Sequence, residues 1–278
     1  MPKSGDDAAP PAGGQPEDKV ACAAPEWRRR KLHLVSCEIF FREMCLALSR
    51  TPNQVDAAFL PKGLHDIAPE KMLEHVQAAV DAIKFENYEA VIIGYALCNN
   101  GLAGLTAREI PLVMPRAHDC ITLFLGSRER YQDYFFKNPG VYFKTTGWIE
   151  RNRVDDGELQ QLSIPNQQGM NQTYEEMVEK YGADNAEFLY TQLYDHTRNY
   201  SKYTYIEMGL EQDANYKAQT HDEAKERGWE FENVEGDISM IQRLVDGQWA
   251  SDEFLVVPPG HRLTPTGDET IVRTEKAP

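Results

Sequence analysis

Three cysteines in this chain stand where the surrounding residues indicate chemistry. Cys98 occurs in YALCNNG and Cys120 in RAHDC, two polar stretches that directly follow apolar runs. Cysteine is among the most buried residue types, so a thiol within a polar loop favours metal binding or catalysis over packing. Cys37, in VSCE, follows another apolar run and is explained almost equally well by packing and by chemistry.

Further polar side chains follow the apolar runs and could act together with the thiols. The candidate acid–base residues are His65 and His118, and the candidate substrate-binding residues are Arg116, Asn99, Asn100, Gly101 and Trp148. Structural roles stay open for several of them: His65 as a turn residue, His118 as a helix cap, Trp148 in packing. Arg116 could equally pair with an acidic surface, and Asp119 is predicted to cap the helix that begins at Cys120.

The elements that would position these residues alternate between strands and helices. Apolar runs predict strands at 32–36, 55–60, 90–95, 112–114 and 141–145, and helical spacing predicts helices at 38–49, 69–85 and 120–136. This alternation predicts an α/β fold with a mostly parallel sheet and helices on both faces, a Rossmann-like, doubly wound arrangement. Parallel strands end at one edge, so we expect all five strand ends, and with them the three thiols, to lie together.

Composition divides the chain into four predicted segments. Residues 1–27 hold almost no large apolar side chains and are predicted to be a disordered tail, 28–150 an α/β domain with the Cys/His site, 151–262 a helical excursion followed by a second α/β unit, and 263–278 a C-terminal tail. Within the third segment we predict a polar loop to 172, a helix at 173–200, strands at 203–208, 230–234 and 254–257, and helices at 214–227 and 238–246. The second unit could be a smaller lobe or an extension of the first sheet.

Bulk properties exclude several classes of protein. The formal net charge is −15 and the sequence pI about 4.9, a field that repels nucleic acid. Apolar runs are too short to span a membrane and no signal peptide is evident, so we expect a cytoplasmic protein. Five cysteines without a CxxC pair argue against a disulfide framework. The chain also lacks the GxGxxG, GxxxxGK[ST] and GxSxG motifs of dinucleotide, nucleotide and serine-hydrolase sites.

Three converging thiols are typical of one kind of site. Thiolates, alone or with an imidazole, bind soft or borderline cations, most often zinc. Cys37 directly precedes one predicted helix and Cys120 opens another, and the unpaired N–H groups of a helix start would stabilise a negative sulfur. Cys45 lies within an apolar helix and is predicted to pack in the core.

Several stretches resemble the recurring blocks of an uncharacterised domain-of-unknown-function family, number 1638. The blocks are LVSCEIFFRE, GYALCNNGLAGL, PRAHDCITLFLGS, FKTTGW and FLVVPPG, and the resemblance spans most of residues 31–260. The family's usual YGxCGxG is YALCNNG here, so Ala96 and Asn99 or Asn100 replace small positions while the thiol is kept. The resemblance implies that the protein comes from an anaerobic bacterium or a methanogen. It also implies that its gene lies near genes for corrinoid-dependent methyl transfer. The chain lacks the DxHxxG loop that ligates cobalt, so it is not itself the corrinoid carrier.

Three hypotheses follow for the function. The first is a zinc-dependent enzyme of anaerobic one-carbon metabolism that transfers methyl groups between a small molecule and a corrinoid protein or methyltransferase partner. Its metal would be held by Cys37, Cys98 and Cys120, with His118 or His65 as fourth ligand or acid–base group. The second is a metal- or corrinoid-handling accessory protein without turnover. The third is a metal-free lyase or hydrolase with Cys120 as nucleophile.

Overall fold

A computed structural model describes most of the chain after the N-terminal segment. The described residues are 29–151, 157–167, 173–194, 199–210 and 215–278. The predicted tail at 1–27, which contains Cys22, lies outside them. No helix among the described residues is long and apolar enough to cross a membrane.

The strands of the described chain build three sheets. They are β1 (Lys31–Cys37), β2 (Gln54–Leu60), β3 (Ala90–Gly94), β4 (Leu112–Pro115), β5 (Val141–Thr145), β6 (Lys202–Glu207), β7 (Glu230–Glu235), β8 (Phe254–Val257), β9 (His261–Pro265) and β10 (Val272–Lys276). The main sheet runs in the order β2-β1-β3-β4-β8, the second sheet in the order β5-β6-β7, and β9 pairs with β10.

The helices connect these strands and cover them. They are α1 (Phe41–Arg50), α2 (Pro69–Asp81), α3 (Ile121–Leu125), α4 (Arg128–Lys137), α5 (Thr146–Glu150), α6 (Gly157–Leu162), α7 (Ile164–Gln167), α8 (Tyr174–Tyr181), α9 (Ala183–Tyr194), α10 (Tyr216–Arg227) and α11 (Ser239–Asp246). Short 3₁₀ helices cover Glu38–Phe40, Lys62–Asp66 and Phe85–Asn87.

The main sheet confirms the predicted α/β fold. β2, β1, β3 and β4 run parallel, and β8 joins them antiparallel along β4. All residues of β3 and β4 are buried, as expected for strands covered on both faces. The chain leaves β1 in one direction for β2 and then crosses over to β3 on the other side. With right-handed crossovers, this reversal places α1 and α2 on opposite faces.

The prediction that the fifth strand joins the main sheet is wrong. β5 pairs in parallel with β6, which pairs in parallel with β7. The edge of the main sheet beyond β4 is taken by β8, so β5 has no partner there. The second half of the chain therefore does both things that the sequence left open: it forms a smaller sheet, and it extends the main sheet by β8.

Several predicted boundaries also differ from the structure. The helix predicted at 120–136 is two helices, because Gly126 ends α3 in a left-handed conformation and Ser127 caps α4. The helix at 173–200 is likewise divided into α8 and α9 by Gly182, and its residues 195–198 lie outside the described chain. The predicted loop to 172 contains α6 and α7 in its described part. The predicted C-terminal tail contains most of the antiparallel β9–β10 hairpin.

One close contact joins the second sheet to the first. α5 follows β5 and packs on the 3₁₀ helix Glu38–Phe40, which follows β1. A Cβ atom at Gly147 would lie 1.7 Å from the backbone oxygen of Ile39, so only glycine permits this approach. Beside it, the Arg42 guanidinium holds both carboxylate oxygens of Glu150, with Nε–Oε2 at 2.8 Å and Nη2–Oε1 at 2.6 Å. The contact sets α5, and Trp148 on it, against the end of β1.

We predict that Gly147→Ala lowers the free energy of unfolding by about 3 kcal/mol, since the added methyl group meets backbone that cannot turn away. Urea unfolding of the variant and the wild type measures the difference. Gly267→Ala is the matched control, because nothing lies within 4 Å of a Cβ there. Equal stability of the two variants would contradict the contact.

Candidate functional site

The candidate site lies at the point in the main sheet where the order of the strands reverses. Cys37 is the last residue of β1, and Cys98 follows β3. These two strands are neighbours in the sheet and lie on either side of the point of reversal. Such a switch point opens a crevice beyond the carboxyl ends of the strands, where ligands bind in open α/β sheets. The two strands are held tightly there: Ser36 Oγ donates to the Gly94 carbonyl at 3.1 Å, and a Cβ at Gly94 would lie 2.4 Å from Ser36 Oγ.

Backbone hydrogen bonds hold Cys98 beside the loop that carries Cys120. The N–H groups of Leu97 and Cys98 donate to the carbonyls of Ala117 and His118, at 2.9 and 3.1 Å. The chain then turns sharply, with Cys98, Asn99 and Asn100 at φ values of 48°, 52° and 65°. Non-glycine residues in this left-handed region cost about 1 kcal/mol each, with asparagine among the best tolerated. Consecutive residues of this kind are a strained turn, a feature concentrated at functional sites.

Cys120 is placed by the residue before it. Asp119 Oδ1 accepts a hydrogen bond from the N–H of Ile121 at 2.8 Å, although the N-cap residue of α3 is Cys120 and not Asp119 as predicted. Asp119 Oδ2 accepts a second hydrogen bond from the Tyr131 hydroxyl, at 2.6 Å. Asp119 therefore ties the Cys120 loop to α4, and its own carboxyl pKa is raised because it is largely desolvated.

The three thiols meet around one small internal cavity. Cys37, Cys98 and Cys120 all line it, and its volume is about 10 Å³, comparable to the space required by one water molecule. His65 and Trp148 line the same cavity, although Trp148 arrives from the second sheet. The rings of these two residues pack edge to face, with centroids 5.5 Å apart. The structure thus brings five of the candidate residues to one place.

Tyr95 adds a buried hydroxyl to this cavity, and sequence reasoning missed it. The residue is 2% exposed and lines the cavity with the thiols. Its Oη has no hydrogen-bond partner among the described residues. An unsatisfied buried hydroxyl costs about 1–3 kcal/mol, which makes this oxygen a contact for whatever occupies the cavity, whether a water molecule or a ligand. The available signal was a tyrosine placed directly after a wholly apolar strand.

Burial dominates the electrostatics of the thiols. It raises the pKa of Cys37 to about 12, although the Ile39 N–H and the nearby Lys62 ammonium favour the thiolate. Burial likewise raises the pKa of Cys98 and of Cys120. The Cys37 sulfur raises the pKa of Cys98 further, and the Asp119 carboxylate raises that of Cys120. Backbone N–H groups at the starts of the following helices lower the pKa of Cys37 and Cys120, as expected, but the effect of burial is larger. The helices after Cys37 and Cys120 have three and five residues, too short for their dipoles to offset desolvation.

Lys62 is a second residue that the sequence did not reveal. It lies in the 3₁₀ helix after β2 and is 6% exposed, which is rare for lysine. Its ammonium sits 4.2 Å from the centroid of the Trp148 ring. Among the described residues, the Lys62 ammonium is the positive charge that favours ionisation of the Cys37 thiol.

A larger cleft opens beside the thiol cavity. Its volume is about 320 Å³, and Cys120, His65 and Trp148 line both spaces. Asp119 and Tyr131 contribute its polar wall together with His65. A substrate in this cleft would lie next to the thiol of Cys120.

The other predicted substrate residues lie elsewhere. Arg116 donates to backbone carbonyls of Ser251, Thr270 and Val272 and so fastens the C-terminal hairpin. Asn99 and Asn100 line a separate pocket beside α2, and Gly101 leaves room for Met72, whose sulfur would lie 2.3 Å from a Cβ there. His118 is exposed and lines neither the cavity nor the cleft.

The prediction for Cys45 is wrong. Its residue is exposed, because the buried face of α1 is formed by Glu43, Met44 and Ala47. The four cysteines of the described chain are all free thiols. Within the same residues, no group of three or more His, Cys, Asp or Glu side chains stands in an arrangement that could hold a metal ion. The cavity thus brings protonated thiols together without presenting them as a ready-made set of ligands.

The raised thiol pKa values predict a pH dependence of stability. A thiol whose pKa rises from 9.0 to about 12 on folding, as for Cys37, keeps its proton to higher pH when folded. Its contribution is complete below the unfolded pKa and is lost as pH rises from there toward the folded pKa, by about 1.4 kcal/mol per pH unit. We expect the metal-free, reduced protein to lose stability between about pH 8 and about pH 10.5.

Denaturant unfolding at both pH values measures this loss. Cys37→Ala should lose less than the wild type over the interval, since the titrating thiol is gone. The matched control Cys45→Ala, at an exposed position, should stay closer to the wild type. The same pH dependence in Cys37→Ala and wild type would contradict the raised pKa.

Comparison with known proteins identifies a family but no characterised relative. A family model described as a protein of unknown function, DUF1638, matches residues 59–245. No curated protein and no solved structure matches the chain. The match includes Cys98 and Cys120 with the strands that precede them, and it begins after Cys37.

Proposed function

The chain belongs to the DUF1638 family, and we propose that it is a metal-dependent methyltransferase with Cys37, Cys98 and Cys120 as metal ligands. The observation that carries the proposal is the convergence of three thiols from separate strand ends on one cavity. Zinc is the proposed ion, since sulfur ligands of this number suit a soft or borderline cation.

The environment of Tyr95 supports the proposal that a group binds in the thiol cavity. Its hydroxyl is buried in the same cavity without a described partner, and a ligand between the sulfurs would give it one. Binding requires that the three thiols lose their protons and close around the ion, because in the metal-free fold they are protonated and not arranged as ligands. Lys62 favours that ionisation at Cys37.

The surrounding residues have distinct proposed roles. When bound, zinc would lower the pKa of a substrate thiol and so make it nucleophilic at neutral pH. His65 lines both the cavity and the cleft and could carry a proton between them. The cleft would hold the methyl-bearing substrate against Cys120, and its apolar walls would exclude water from the transfer.

A corrinoid protein or its methyltransferase is the proposed partner, and the cytoplasm of an anaerobe the proposed location. The four free thiols of the described chain support a reducing compartment. An accessory protein that handles the metal or the corrinoid without turnover would share the same thiol site. Methyl-transfer assays with and without the partner separate the two, because only an enzyme accelerates the transfer.

One observation favours a second candidate, a metal-free lyase or hydrolase. Cys120 and His65 both line the larger cleft, as a nucleophile and its base would. The raised pKa of Cys120 weighs against it, because the thiolate is the nucleophile. Activity that survives a chelator would favour this candidate over the metal enzyme.

We expect anaerobically purified protein to carry about one zinc ion per chain. Single substitutions Cys37→Ser, Cys98→Ser and Cys120→Ser should each reduce the metal content severalfold, because a hydroxyl is a poor substitute for a thiolate ligand. Elemental analysis measures the ratio of metal to protein. Cys45→Ser is the matched control and should keep the wild-type content, because Cys45 is exposed and lines neither space.

The substitution Tyr95→Phe should act in opposite directions on the two forms of the protein. It removes an unsatisfied buried hydroxyl, so the metal-free protein should gain about 1 kcal/mol in unfolding free energy. In the metal-loaded protein the same hydroxyl is proposed to contact the bound group, so the stabilisation by zinc should shrink. Thermal unfolding with and without zinc measures both effects. A Tyr95→Phe variant that is destabilised without metal would show that the hydroxyl is satisfied within the fold.

A further inference from the structure

Aromatic rings form most of the wall of the larger cleft. The aromatic residues that line it are Phe124, Tyr131, Phe135, Tyr142, Phe143, Trp148 and Tyr200. Tyr131 and Phe135 stack nearly parallel with centroids 5.7 Å apart, and Tyr142 meets Tyr200 edge to face at 5.3 Å. Phe135 is 46% exposed, so its ring is accessible to a ligand in the cleft.

The charges around these rings favour a cation. Asp119 is the carboxylate in the cleft wall, and the described residues that line the cleft include no lysine or arginine. His65 is the one described lining residue that could give an anionic ligand a positive partner. The net charge of −15 also raises the local concentration of cations. Lys62 already covers the Trp148 ring, so the remaining rings are the ones available to a ligand.

We propose that this cleft binds a methylated ammonium group, such as the head of a quaternary amine. The faces of aromatic rings attract such cations, and the methyl groups gain contact with apolar walls. A volume of about 320 Å³ accommodates a small molecule of this class. The proposal of a binding site depends only on the cleft. The role of its ligand as the source of the methyl group rests on the proposed function.

The class of ligand fits methyl transfer at the neighbouring thiols. When a methyl group leaves a quaternary ammonium ion, the electron pair of the broken C–N bond stays on nitrogen and a neutral tertiary amine results. The new bond to the methyl carbon uses a lone pair of an acceptor thiolate, which becomes a thioether. The thiol proton is released when the acceptor ionises, so charge and atoms balance.

The test compares choline with 3,3-dimethylbutan-1-ol, a neutral molecule of the same shape. Titration calorimetry on metal-free protein should show choline binding about 5- to 30-fold more tightly, the ratio expected for cation–π attraction in a desolvated site. Equal binding of the two, or binding of the alcohol alone, would overturn the proposal and leave a merely apolar cleft.

Adjacent phenylalanines provide a matched pair of variants. Phe135→Leu removes a ring from the cleft and should weaken choline about threefold without weakening the alcohol. Phe136→Leu changes the neighbouring residue of α4, which is 81% exposed and does not line the cleft, and should leave both ligands unchanged. Asp119→Asn keeps the shape but removes the charge and should also weaken choline selectively. Equal effects of Phe135→Leu and Phe136→Leu on choline would contradict the site.

These measurements test the ammonium site independently of the metal proposal. They use protein without metal, so an absence of zinc from the purified protein leaves the choline result intact. Conversely, a full complement of zinc with no preference for choline overturns the ammonium site alone. Only when both hold does choline, or a relative of it, become a candidate methyl donor in turnover assays.

Discussion

The reversal of the strand order between the parallel strands β1 and β3 is the constraint on which the site depends. Two parallel strands that are neighbours in space but leave the sheet toward opposite sides open a crevice at their carboxyl ends. Cys37 and Cys98 flank that crevice, and backbone hydrogen bonds from the Cys98 loop draw in the loop that carries Cys120. The contact of Gly147 with Ile39 then closes the crevice from the second sheet and supplies Trp148.

Desolvation sets the chemical state of what gathers there. The thiols are held near one another but protonated, and the nearby Lys62 ammonium only partly offsets the loss of water around Cys37. The Tyr95 hydroxyl is buried without a described partner in the same space. In our proposal, a metal ion takes the place of the thiol protons and completes the site. The strained turn at Cys98 fits the same interpretation, since strain is retained where function requires a geometry.

The sequence predicted the parts of the site that follow from local pattern. Apolar runs located the strands, and polar loops at their ends marked Cys98 and Cys120. Lys62 and Tyr95 were missed because their burial depends on elements far apart in the chain. The loss of the fifth strand to another sheet was not predictable either, because β8, more than a hundred residues later, takes its place beside β4. Arg116 looked like a substrate residue, but two of its three backbone partners, Thr270 and Val272, belong to a hairpin that the sequence suggested was a tail.

X-ray absorption at the zinc edge of anaerobically purified protein tests the central claim most directly. If the thiols of Cys37, Cys98 and Cys120 share one ion, the nearest shell contains about three sulfur atoms at about 2.3 Å. The Cys98→Ser variant, where it still binds zinc, should lose one of those sulfurs. A shell of nitrogen and oxygen atoms alone, or one that does not change in that variant, would contradict the account.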